Sequence, residues 1–174
     1  MAKLTLKADG GYIEMLAALA DEADDAAKAA VRAGGAVLAD AVRASLEALP
    51  EDTHTVPGQR YYYLTESEKY NGVPAAEKAS MLDALGVTPP RLDRDGNWNV
   101  KVGFDGYDDT PTLAYPTGRP IPMLANAVEH GSSVRPATPF IKPAAQRANA
   151  AAVQAMQDAL TAAYDKKTGG NANA

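Results

Sequence analysis

Two histidines, His54 and His130, and a few paired carboxylates are the side chains here whose chemistry could do work. A histidine titrates near neutral pH and can serve as base or metal ligand. These two lie far apart in sequence, and each reads as a polar surface or hydrogen-bonding residue. Asp108-Asp109 and Glu51-Asp52 read as exposed loop carboxylates, and a general acid needs a buried partner that the sequence does not show. Asp93, Asp95 and Asn97 invite a calcium reading. A calcium loop needs glycine at its sixth position and glutamate at its twelfth, where this chain has Trp98 and Phe104. There is no HExxH, no phosphate-binding glycine loop and no GxSxG. The absence of cysteine excludes disulfides, thiolate catalysis and cysteine-ligated metal. The expectation is a chain that is not an enzyme and carries no cofactor or metal.

Stacked aromatics can hold single-stranded nucleic acid, and Tyr61, Tyr62 and Tyr63 are consecutive. Only Arg60 and Lys69 lie near them, and a net charge of -5 works against a nucleic-acid surface. A nucleic-acid-binding or packaging accessory is therefore the second function class. The acidic cluster Asp21, Glu22, Asp24 and Asp25 reads as a solvated helix face. Met1 to Leu6 has no apolar run suited to a signal peptide, and no stretch is apolar enough to span a membrane.

At 174 residues one domain is expected, large enough to bury a core without staples. Leu4 and Leu6 alternate with Lys3, Thr5 and Lys7, as in a short edge strand or an ordered arm. After Gly10-Gly11 the apolar positions from about Tyr12 to Leu49 recur every three or four residues, one long helix with small residues in its middle. Gly34-Gly35 is the point where it would bend or break. Thr65 with Glu68 has capping-box spacing and Asn71-Gly72 marks a turn. Pro74 to Leu85 reads as a short helix capped by Gly86, with Ala79, Leu82 and Leu85 inward and Met81 flanking. Asp95-Gly96 sits between Leu92 and the alternating run Trp98, Val100, Val102 and Phe104, a hairpin signal. A polar loop comes next, then a short helix over Met123 to Val128, and a last helix over Ala144 to Tyr164. The fold class expected is α+β: long N-terminal and C-terminal helices on a small antiparallel sheet, a domain of residues 1–166 and a flexible tail of residues 167–174.

The stretch Val128 to Ala144 organises the rest. Gly131 can take a positive φ, and Pro136, Pro139 and Pro143 fix their own φ and push the preceding residues toward extended geometry. It reads as a stiff, mostly extended strap that ends one element, pins Phe140 and launches a helix.

Met81-Leu82-Asp83-Ala84-Leu85-Gly86-Val87-Thr88-Pro89, Val100-Lys101-Val102-Gly103-Phe104-Asp105-Gly106-Tyr107, Val128-Glu129-His130-Gly131-Ser132 and Thr138-Pro139-Phe140-Ile141-Lys142-Pro143-Ala144 occur in this order. Together they resemble the small tail-component proteins of long-tailed bacteriophages, the family typified by the tenth gene product of the lambdoid phage Hong Kong ninety-seven. The long polar loop Asp108 to Arg119 and the three tyrosines depart from that pattern. The resemblance implies a head-tail joining or tail-completion protein, made in the host cytoplasm and placed in the virion neck or tail. Its implied partners are copies of itself in a ring, neighbouring neck or tail proteins (stopper, tail terminator or tail tube), and DNA that passes without sequence-specific binding; no membrane is implied. Glu129, Gly131, Pro139, Phe140 and Pro143 are then candidates for subunit contacts. Asp21, Glu22, Asp24 and Asp25 would face the lumen, where repulsion lets DNA slide.

Overall fold

The computed structural model describes residues 10–52, 72–109, 111, 114–133 and 135–170; side chains are described from Ala23 onward, except those of Tyr164 and residues 167–170. His54, the tyrosines Tyr61 to Tyr63, the Thr65–Glu68 pair, Asn71 and the segment Lys3 to Lys7 lie outside these residues.

Helix α1 (Gly10–Glu47) is continuous through Gly34-Gly35. The expected break does not occur, because both glycines serve packing. A Cβ on Gly34 would stand 2.7 Å from Met156 Cγ, and one on Gly35 would stand 2.6 Å from Val100 Cγ2. The helical cost of two glycines is offset by the approach of a helix on one side and a strand on the other. Helix α4 (Ile141–Gly170) runs antiparallel to α1: its start shares the core with Val42 and Leu46, and Ala152 and Met156 meet Gly34. It extends past the expected end at Tyr164 and takes in residues 167–170, so the region expected to be a tail begins as helix.

Helix α2 (Ala75–Ala84) passes straight into strand β1 (Leu85–Val87). The residue that ends the helix is Leu85, already extended, while Gly86 stands in the strand opposite Gly103; the expected glycine cap is thus replaced by a helix-to-strand junction. Arg43 of α1 donates to the carbonyls of Leu82 (3.1 Å) and Leu85 (3.4 Å), groups that the end of α2 leaves unpaired. Of the expected inward face Leu85 is buried and Leu82 packs on the core, while Ala79 is exposed and the flanking Met81 is fully buried. Glu77 and Lys78 are buried beside Met81, because their charges find partners on that side.

The hairpin forms in two pieces. Strand β2 (Arg91–Leu92) pairs with β3 (Trp98–Asn99), and β1 pairs with β4 (Val102–Phe104), both antiparallel. The interruption is at Pro89-Pro90, which have no N–H to give to a ladder. Thr88 still exchanges bonds with Lys101, its N–H donating to the Lys101 carbonyl and its Oγ1 accepting the Lys101 N–H, both at 2.9 Å. The two prolines together then face Val100, a bulge that shifts the register by one residue.

Helix α3 (Ile121–His130) starts after Pro120 and ends at Gly131, whose φ is 82°. The core gathers Val42 and Leu46 of α1, Val73, Met81, Leu85, four residues of α3 (Ile121, Leu124, Ala125, Val128), and Phe140 and Ala144 at the start of α4. These elements give the expected α+β architecture.

Candidate functional site

The strap between α3 and α4 brings the candidate residues together. A positive φ at Gly131 turns the chain out of α3, and a side chain there would meet the Ala137 backbone at 2.9 Å. The segment is tighter than the extended strap expected: Ser132 and Arg135 pair across a short turn, the Ser132 N–H donating to the Arg135 carbonyl at 2.9 Å. The Thr138 N–H then returns to the Val128 carbonyl at 2.8 Å. Phe140 ends the strap with 0% exposure, its ring edge-on to Phe104 at 6.1 Å and 64°.

Glu129 locks the start of α4. Its Oε2 accepts the N–H groups of Phe140 (2.7 Å) and Ile141 (2.8 Å), and its Oε1 accepts that of Lys142 (3.0 Å). These are donors that a helix start leaves unpaired, met by a full negative charge at the positive end of the α4 dipole. Pro143, one residue further on, has no N–H to satisfy. Burial pushes the Glu129 carboxyl up, but the three N–H bonds, from Ile141, Lys142 and Phe140, and the nearby His130 outweigh it, leaving its pKa below the ordinary 4.5.

Of the five candidates for subunit contacts, Phe140 and Glu129 are therefore occupied inside their own chain, and Pro139 is the exposed one. Gly131 and Pro143 are half-buried and set backbone geometry. Sequence alone could not separate these roles, because a buried plug and an interface plug use the same residues.

Beside the strap lies a cluster that sequence reasoning missed. Asp108, expected to be exposed, is 3% exposed. Its Oδ1 accepts the Arg119 N–H at 2.8 Å, and its Oδ2 accepts Arg119 Nε at 2.9 Å and Nη2 at 2.6 Å. Arg119 Nη2 also reaches Glu77 Oε1 at 2.8 Å, and the other Glu77 oxygen accepts Arg135 Nη2. Burial pulls the Arg119 pKa down, but the bonds to Asp108 and Glu77 outweigh that and raise it. The set is charge-balanced and ties α2, both ends of the 108–119 loop and the strap together. Gly118, with φ 113°, makes room for Asp108 in the same closure. One faint signal existed: Arg119 and Arg135 each precede a proline, a position with a restricted backbone.

This arrangement is suited to holding elements rigidly. The Asp108 and Glu77 carboxylates face guanidinium donors, and among the described residues no group of three or more His, Cys, Asp or Glu could hold a metal. His130 is exposed. Asp109 and Glu51 are exposed and Asp52 half-buried; Glu51 lies 3.3 Å from Lys78 Nζ.

The candidate lumen residues sit far up α1. Asp24 and Asp25 are exposed, while the side chains of Asp21 and Glu22 fall outside those described. Asp24 accepts Trp98 Nε1 at 3.0 Å, Asp25 pairs with Lys28 at 2.9 Å, and Lys28 Nζ lies 4.7 Å from the Trp98 ring centroid. This part of the cluster thus anchors the hairpin on α1. Below it, α1, α4 and the strand run from Trp98 to Phe104 enclose an apolar groove of about 510 Å³.

No protein-family model matches the sequence, and no curated protein or solved structure matches it. Among the described residues no helix is long and apolar enough to cross a membrane.

Proposed function

We propose that this chain is a structural protein of a long-tailed bacteriophage virion, acting in head-tail joining or tail completion as one subunit of a ring around the DNA channel. The observation that carries this reading is the strap. The residues of the phage-like motif, Glu129, Gly131, Phe140 and Pro143, work as mechanical parts: a helix lock, a turn, a plug and a helix start. A motif spent on rigidity fits a protein whose work is to hold neighbours in register. Subunits of such a ring use heterologous contacts that close on themselves, with copies of this chain and neighbouring neck or tail proteins as partners. In this reading the chain takes no cofactor, performs no catalysis, and lets DNA pass without binding sequence.

The test is the assembly state of the purified full chain, by light scattering and negative-stain imaging. The expected result is a closed ring with a central channel. A monomer at every concentration, or DNA binding that falls steeply with salt as counterion release requires, overturns the reading.

A further inference from the structure

We infer that two apolar features of this chain meet between copies: Leu4 and Leu6 of one subunit enter the groove of the next. The inference rests on the ring reading and names the segment that joins its subunits.

The groove lies between Val31 and Leu38 of α1, Met156 of α4, and Val100 and Val102 of the strand run, over the bare backbone of Gly35. Strand β4 has β1 as its one ladder neighbour among the described residues, and no described strand pairs with its second edge. A short extended segment with apolar side chains on one face suits both: its backbone adds to the open edge, and its alternate side chains fill the groove. The stretch Lys3-Leu4-Thr5-Leu6-Lys7 has that alternation.

Geometry rules out the subunit's own groove. Leu6 and Leu4 stand four and six residues before Gly10, a reach of at most about 14 and 22 Å for an extended chain. Helix α1 rises about 32 Å from Gly10 to Val31, where the groove begins. Neither leucine can double back that far, whereas the groove of a neighbour is open to both.

Charge favours the same pairing. Lys3 and Lys7 flank the leucines, and the groove rim carries Asp24, bonded to the lining residue Trp98. The adjacent Lys28 is engaged with Asp25, so Asp24 is the rim charge available to a lysine. Each subunit gives one segment and receives another, a head-to-tail contact of the kind that closes rings.

The natural chain has no cysteine, so engineered thiols report one contact at a time. A Leu6→Cys preparation is mixed with a Val100→Cys preparation carrying a mass tag, allowed to assemble, and mildly oxidised. The expected product is a disulfide-linked pair containing one chain of each kind; Leu38→Cys replaces Val100→Cys if the latter folds poorly. The double variant Leu4→Asp, Leu6→Asp is expected to shift the chain from ring to monomer in light scattering, with helix content by circular dichroism unchanged. Wild-type rings with no mixed cross-link, or rings formed equally well by the double variant, overturn the inference and leave the ring reading standing. A wild-type chain that never assembles overturns both.

Discussion

Glu129 and Asp93 do the same chemical job at opposite ends of the exposure scale. Each carboxylate accepts backbone N–H groups and thereby stops a local stretch of chain from unwinding. Asp93 Oδ1 takes those of Asp95 (2.9 Å) and Asn97 (2.8 Å) and closes the hairpin turn, where Gly96 adopts φ 80°. Glu129 takes those of Phe140, Ile141 and Lys142 and joins two helices through a buried strap. Both have pKa values below the usual carboxylate range, Asp93 chiefly through the Asn97 N–H, and Glu129 despite its burial. What differs is what happens when the bond is lost. At Asp93 water replaces the carboxylate at once; at Glu129 the Phe140 N–H stays buried beside a core ring with nowhere to turn. The strap end of the molecule thus holds at least one bond that water cannot replace, and the hairpin turn is held by ones that it can.

The sharpest way to break that contrast is Phe140→Ala, expected to lower stability by about 3–5 kcal/mol, since a fully buried ring leaves a cavity against Phe104 and α3. Leu92→Ala, at 54% exposure on the hairpin, is expected to change it by less than about 0.5 kcal/mol, both read by urea denaturation. Should the two cost the same, the contrast fails. Next comes Glu77→Ala, which strands Arg119 and Arg135 beside each other without their shared carboxylate and is expected to cost about 3 kcal/mol or more.

Glu129→Gln is expected to cost about 1–3 kcal/mol, because the amide has one acceptor oxygen where three donors converge. It also sharpens the acid response. A carboxyl whose folded pKa lies below 4.5 contributes fully above that value and loses its contribution as pH falls through the folded pKa. Comparing urea midpoints at about pH 6 and about pH 3, the wild type is expected to lose more stability than Glu129→Gln. Equal losses would place the acid sensitivity elsewhere. Smallest of all, Asp93→Ala is expected to leave the urea midpoint unchanged, although the wild-type Asp93 carboxyl should titrate below its normal range by NMR.

Much of the architecture was legible in residue patterns because it obeys short-range rules. Proline and glycine positions marked the ends of α3, the strap and the start of α4 within a few residues. The Asp-Gly signal located the hairpin turn, but not the bulge at Pro89-Pro90, which depends on what stands across the ladder. Phe140 was marked for burial by its setting between two prolines. The Asp108–Arg119–Glu77–Arg135 cluster was invisible, since its members are spread from position 77 to 135 and each looks like a surface charge in isolation.

Periodicity, propensity and backbone restriction act over a few residues, so the sequence by itself determined where helices run, where the chain must turn and which ring has to be buried. Partnership across the chain was decided only in three dimensions. Gly34 and Gly35 became contact points instead of a helix break because α4 and the hairpin meet α1 there. Asp108 is buried because Arg119 and Glu77 arrive beside it, and Glu129 is held charged because the start of α4 presents its N–H groups. The energy of a charge or a glycine depends on what surrounds it, and for this chain those surroundings exist only after distant segments have packed.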